Sequence, residues 1–362
     1  MKKVAVIGAG IFGVTTAVEL SKKFQVTLFD KENDIFKGAT FVNQYRHHMG
    51  YHYPRSLETL AECKQSRKDF QAVFGKALVP TFPYYYSIAK RNSKTSVSNY
   101  LKFCKQQQLP FKLDYPDEKF LNPRKIAACL KVPETVYDFK TLKNIAKNLL
   151  KNSKNIEIKM RNLVTGGEIK SNKKKTLYVT EGGKQYFEDF DYVVNATYSN
   201  YNLLCKAFGF EKKPLQFELV ELLVVKLPIE GKIGITVMDG PFTCVLPMGN
   251  TGYFTLGHVE ASIHKREIVA EEETPIVKKW GKVKSKKDKV IKDSLEFIPI
   301  LKDASYVKSL YITRVVNPEN ELDDGRPTEL KNHGYGFFSI FAGKIITCVT
   351  TAKQLFGEIE AS

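Results

Sequence analysis

The sequence predicts an α/β protein of two domains, an α+β arrangement with one domain built on parallel βαβ units and the other on a mostly antiparallel sheet. Three observations predict it. Residues 4–7 are apolar and β-branched, residues 14–23 are helical in pattern and residues 25–29 are strand-like, so the chain opens on strand, helix, strand. Residues 215–228 and 233–256 are rich in strand formers broken by regular turns. An apolar run at residues 192–194 passes directly into Asn195-Ala196-Thr197, as the carboxyl end of a parallel strand does when a ligand crosses it.

The first unit carries its own chemistry. Gly8-Ala9-Gly10-Ile11-Phe12-Gly13 joins the first strand to the helix, and Asp30 closes the second strand 20 residues after Gly10. Gly8 allows a tight turn, Gly10 lets the backbone approach a pyrophosphate, and Gly13 lets helix and strand pack closely. The helix N-terminus then presents free N–H groups and the positive end of its dipole to phosphate oxygens. Asp30 accepts from ribose hydroxyls and disfavours a 2′-phosphate. Glycine turns alone are common; with both strands, the helix and the acid in register, the unit reads as a Rossmann-like dinucleotide site.

Residues 40–56 concentrate His47, His48, His52, three tyrosines, Arg46 and Arg55 in a segment that Gly50 and Pro54 keep from being a continuous helix. His48 and His52 are therefore not a helical zinc pair, and no metal is expected. Such a segment suits a cofactor and substrate surface. Residues 57–74, 96–108, 138–151 and 285–301 read as helices, and 81–89, 132–137 and 156–160 as strands or extended chain, with a mixed pattern at 122–130. Residues 176–180 and 184–188 form a hairpin around Gly182-Gly183. Near the end come a strand at 309–314 closing on Arg314, a turn at 323–327, a strand at 335–341, and Ala342-Gly343-Lys344 opening a helix at 345–356, a second place for backbone N–H groups to meet an oxygen-rich ligand.

Composition sets the frame. At 362 residues with 43% hydrophobic residues the chain can bury a sizeable core. A net charge of +17 attracts anions, but only residues 282–292 form a dense basic run, which reads equally as the solvated face of a helix. The six cysteines are far apart with no CxxC, which suits a reducing, cytoplasmic setting, and no run is long enough for a transmembrane span.

Four of these motifs together resemble the D-amino-acid oxidase superfamily of FAD-dependent oxidoreductases over essentially the whole chain: Gly8/Gly10/Gly13 with Asp30, residues 43–56, Val193-Val194-Asn195-Ala196-Thr197, and Gly343-Lys344-Ile345-Ile346-Thr347. In the second, Asn43, His48, Gly50, Tyr53, Ser56 and Leu57 match the L-2-hydroxyglutarate oxidase branch, and the glycine oxidase branch is similar. The resemblance implies an FAD domain of the glutathione-reductase-2 type at 1–75, 132–205 and 312–362, with a substrate domain at 76–131 and 206–311 roofing the flavin ring. It implies FAD contacts from Gly8, Gly10, Ile11, Phe12, Gly13, Asp30, Lys31, Thr40, Asn43, His48, Val164, Ala196, Thr197, Gly343, Lys344 and Ile345, non-covalent or covalent through His48. Departures are Asp30 for Glu, Tyr198 where glycine is usual, and Arg46-His47 for Val-Ile, so a substrate differing from the hydroxyglutarate branch is expected.

The reaction implied is hydride removal from a C–H beside an amine or hydroxyl of a small anionic substrate (amino acid, hydroxy acid or sugar-linked), with oxygen, a quinone or a carrier as acceptor. His48, with His47 or His52 as neighbours, is the expected base. Arg46, Arg55 and Arg314 would hold an anion, and Tyr51, Tyr53 and Tyr85 would wall the pocket; Arg314 serves equally well in a structural ion pair. One alternative is action on a nucleotide-linked sugar in surface-polysaccharide synthesis. Another is RNA modification or binding, which calls for a basic face with interleaved aromatics. A plain NAD dehydrogenase leaves the Gly343-Lys344 motif without a role.

Overall fold

The apolar strands of the N-terminal unit are buried on both faces, and they pair in parallel. Lys3–Ile7 lies between Gln25–Asp30 and Tyr192–Asn195. In the computed structural model, which describes residues 1–269, 280–321, 325–341 and 343–361, this sheet has six strands in the order 329–332, 337–341, 192–195, 3–7, 25–30, 156–160. Neighbours run parallel except for the outermost pair, Glu329–Asn332 against Phe337–Phe341. The helices Ile11–Leu20 and Cys348–Glu360 pack on each other beside the sheet, and Leu57–Phe74 packs on the latter. Residue 342 and the acidic part of the 323–327 turn, Asp323 and Asp324, lie outside the described residues.

A second sheet of nine strands is organised around Leu215–Lys226. One edge of that strand carries Ser305–Val316 along its length, and the other carries Ile263–Val269 and then Phe254–His258. The sheet is antiparallel throughout except where Gly234–Met238 runs parallel to Tyr84–Ala89. Its outer core includes Leu223, Val245, Leu256 and Val290, the last from the helix Lys287–Leu295. A third sheet, Asn162–Ile169, Lys175–Glu181 and Lys184–Phe190, turns at Gly182 and Gly183 with φ of 56° and 84°, so the hairpin stands as expected.

Three elements differ from the pattern reading. Residues 126–132, mixed in sequence, form a strand: Ala128, Leu130 and Val132 enter one core while Ile126 and Cys129 enter another, so burial on both faces erases the alternation. The helix expected at 285–301 ends at Leu295, with a separate 3₁₀ turn, Pro299–Asp303, beginning at a proline that cannot continue the ladder. Glu329–Asn332, not foreseen, is an edge strand that gains its partner only from Phe337–Phe341.

Candidate functional site

The glycine turn is shaped by three different demands. An added Cβ on Gly13 would sit 1.7 Å from the Gly8 carbonyl oxygen, and one on Gly8, at φ +104°, would sit 2.7 Å from the Ala196 oxygen. Packing alone excludes side chains at both. Gly10 is different: a Cβ there would meet nothing nearer than Thr40 Oγ1 at 3.5 Å, so the protein itself leaves that face open. The Asp30 carboxylate accepts from the amides of Ala9 (2.5 Å) and Glu32 (2.8 Å), and Thr40 Oγ1 accepts from Ile11 N at 3.0 Å. These bonds fix the turn and aim the helix N-terminus, with Phe12 half-buried beside it and Lys31 exposed.

Ala196 N donates to Ile7 O, and Thr197 is tied through its hydroxyl to Asn195 Oδ1, which sets this strand end against Gly8. Val164 packs with Phe29 in a small core next to the Asp30 strand. The Asn43 side chain is consumed internally: its amide donates to Ala39 O and Thr40 O, and its oxygen accepts from Tyr45 N and Tyr137 OH.

Residues from distant parts of the chain meet at a second focus. His48 stands 5.5 Å from the Tyr53 ring and 6.3 Å from the His52 ring, and Lys344 Nζ lies 4.5 Å over Tyr53. Buried without a hydrogen-bond partner here are His48 Nδ1, Tyr53 OH and Arg46 Nε. Burial, then Lys344 and Arg46, pushes the His48 imidazole well below its usual range, and burial with Arg46 and Lys344 does the same to His52. Both rings are neutral at physiological pH. The Lys344 amine is pushed down by burial and by the nearby Arg326, Arg46 and Arg314 guanidiniums. Gly343 is where it is because its Cβ would fall 1.8 Å from Arg326 O, so that loop and the Gly343-Lys344-Ile345 segment touch backbone to backbone. No carboxylate partner for the Arg326 guanidinium occurs among the described residues.

Arg46 reaches the same place from the short strand Arg46–His47. Its Nη1 lies 3.2 Å from both Tyr86 OH and His52 Nδ1, and Tyr86 OH donates to Glu134 Oε1 at 2.6 Å. Strand alternation turns His47 the other way, against Phe70 with ring centroids 5.6 Å apart. His47 is thus apart from the cluster, buried, with its pKa lowered to about 4 mainly by burial.

The other two arginines put forward to hold an anion, Arg55 and Arg314, are engaged. Arg314 is paired with Glu218, which also accepts from Arg266 on the other neighbouring strand and from Gln216 on its own, and Arg55 is paired with Asp239 at 2.8 Å. Tyr198 stacks on Phe341, and its hydroxyl bonds Val315 O and N, which ties this strand end to the Ser305–Val316 strand. Tyr85 lies on the far face of its strand, in the outer core, and Tyr51 is buried with its hydroxyl on Pro110 O. Of the basic run, Lys282, Lys284 and Lys286 precede the helix Lys287–Leu295, in which Val290 and Ser294 are buried and Lys289 pairs with Asp293. Sequence reasoning missed Arg326 and Glu134. The first hides in a Gly-Arg-Pro turn; the second is a lone acid inside the apolar run Val132 to Val136, a cue for a buried carboxylate.

Comparison with known proteins gives a consistent picture. The family model described as FAD dependent oxidoreductase (DAO) matches residues 3–306. An FAD-dependent monooxygenase of Fusarium mangiferae is 26% identical over 256 residues, 70% of this chain and 63% of that protein. One of Aspergillus flavus is 35% identical over 78 residues, 21% of this chain and 18% of that protein. The chain thus spans less than two thirds of the length of these relatives. Glycine oxidase from Geobacillus kaustophilus superposes with a TM-score of 0.79 at 14% identity, covering 100% of this chain and 96% of that one. L-α-glycerophosphate oxidase from Mycoplasma pneumoniae with FAD bound gives 0.77 at 15% identity, with 100% and 96% covered. At these identities the likeness is one of fold. Among the described residues no helix is long and apolar enough to cross a membrane.

Proposed function

The chain belongs to the DAO family of FAD dependent oxidoreductases, and from that premise we propose that it removes a hydride from a C–H bearing an amine or hydroxyl on a small anionic substrate. The observation that carries this reading is the pair of buried polar atoms without partners, His48 Nδ1 and Tyr53 OH, beside Lys344 and Arg326. Leaving such atoms unpaired costs roughly 1–3 kcal/mol each. A substrate that pairs them recovers that cost.

FAD, when bound, supplies the hydride acceptor. The open face of Gly10, the Phe12 amide and Asp30 would hold its dinucleotide end, with the Ile11 amide given to Thr40 and with Ala196 and Thr197 behind Gly8; Gly343, Lys344 and Ile345 would lie toward its ring end. The fit rests on Gly10, whose lack of a side chain nothing in the protein requires. His48, kept neutral by burial, has a lone pair for the proton of the substrate amine or hydroxyl. Arg326 and Lys344 would anchor the carboxylate or phosphate, the part first sought from Arg314, whose charge Glu218 already balances. Arg46 and His52, in contact with each other, would face the same substrate. As a working frame we keep the division into 1–75, 132–205 and 312–362 against 76–131 and 206–311, with the strand Ser305–Val316 crossing its last boundary.

The test is anaerobic reduction of the FAD-loaded enzyme by substrate. His48→Ala should retain flavin and slow reduction by about 10²-fold or more; an unchanged rate sinks the assignment. Flavin should be released on acid precipitation, in keeping with non-covalent binding, and a yellow pellet would move attention to a link through His48. Oxygen incorporated into product would favour instead the monooxygenase activity for which the fungal relatives are named.

A further inference from the structure

Glu134 is wholly buried and is linked to Arg46 and His52 through the Tyr86 hydroxyl. Its Oε2 accepts from Met49 N at 2.8 Å and its Oε1 from Tyr86 OH at 2.6 Å. Tyr86 spends its proton on Glu134, so its oxygen accepts from Arg46 Nη1 at 3.2 Å. The same Nη1 lies 3.2 Å from His52 Nδ1. An arginine only donates, and Nη1 has two protons, one for each neighbour. The His52 Nδ1 must therefore be the acceptor, which leaves the ring proton on Nε2.

We propose that Glu134 and Tyr86 are positioning residues that hold Arg46 against His52, locking His52 in the Nε2–H tautomer as a hydrogen-bond donor to the substrate. His52 then takes no proton at Nδ1, and its neighbour His48, whose Nδ1 has no partner, is left as the base. The direction of every bond in the chain follows from the acid at its end. With a neutral acceptor in place of Glu134, Tyr86 could turn its proton toward the arginine side and repel it. The donor role rests on the function proposed above; the tautomer does not.

The two are tested separately. In FAD-loaded protein labelled with ¹⁵N-histidine, long-range ¹H–¹⁵N spectra assign each ring's tautomer, with His52 identified by the signals lost in His52→Gln. The wild type should show His52 with an unprotonated Nδ1 and a protonated Nε2 from pH 6 to 8, roughly the span over which an unperturbed imidazole titrates. Tyr86→Phe, which keeps the ring and removes the link, should give mixed or exchange-broadened tautomers. Glu134→Gln should do the same; flavin content and melting temperature report whether each variant is folded, and Tyr86→Phe decides the matter if Glu134→Gln is not. A protonated Nδ1 in the wild type, or an unchanged His52 in folded Tyr86→Phe, overturns the proposal. For the donor role, a glutamine amide reaches the position of Nε2 and an asparagine amide that of Nδ1. His52→Gln should then exceed His52→Asn by about tenfold in kcat, the worth of one hydrogen bond. Equal activities would remove the donor role and leave the tautomer result standing.

Discussion

His47 and His48 are adjacent in sequence and opposite in environment. His47 packs on Phe70 and is held neutral by burial, with its pKa lowered to about 4, well under the value near 6.5 of an unfolded chain. Below pH 6.5 the unfolded state binds a proton at this ring that the folded state refuses until about pH 4. Stability present at pH 7 is therefore lost as pH falls through that window, by up to about 3 kcal/mol from this residue. His48 and His52, also pushed down by burial, act with the same sign. Urea midpoints measured at pH 7 and pH 4.5 should show a smaller drop in His47→Leu than in the wild type. An equal drop would mean that His47 is not the buried neutral ring described. The clustering of histidines was legible in the sequence, but which ring faced the site was not. That depends on the pairing of Arg46–His47 with Thr135–Val136, two strands of two residues each that no local pattern announces.

At the scale of the element, the N-terminal turn separates two uses of glycine. Gly13→Ala places a methyl 1.7 Å from a backbone oxygen that cannot yield without moving the first strand. It should destabilise the apo-protein by about 1–3 kcal/mol. Gly10→Ala meets only Thr40 Oγ1 at 3.5 Å, at a φ of −69° that alanine adopts freely. It should leave apo stability within about 0.5 kcal/mol of wild type while weakening FAD binding at least tenfold. Thermal melts of the apo-proteins and flavin titration check both; normal FAD affinity in Gly10→Ala would remove the turn from the cofactor site. This unit was readable because each of its parts is local. Glu329–Asn332 was not, because an edge strand of four residues takes its identity from the partner it finds.

For the whole molecule, the net charge of +17 acts at long range, and in the proposed function Arg326 and Lys344 would act at the end of the approach. An anionic substrate should therefore show kcat/KM falling as salt rises from about 20 to 200 mM, the range over which screening shortens below about 10 Å, with kcat unchanged. A flat profile would argue for an uncharged substrate. The surface field is a property of composition and was plain from the sequence. The proposed site draws on residues near 46, 53, 86, 134, 326 and 344, far apart in the sequence and brought together only by the folded chain.

By itself the sequence determined the strand, glycine turn, helix and strand of the N-terminal unit, the two kinds of sheet, most helices and the family, because these rest on short-range spacing: turn glycines, periodicity and an acid at the end of a strand. Only the tertiary structure decided which charges are spent and which are free. Arg314 is paired with Glu218 on the neighbouring strand, whereas Arg326, hidden from the sequence reading inside a turn, makes no ion pair with a described carboxylate and acts on Glu218 only at longer range. The cost or value of a buried charge is set by what is packed beside it, and those neighbours lie 96 residues away along the chain for Arg314 and Glu218 and 48 for Tyr86 and Glu134.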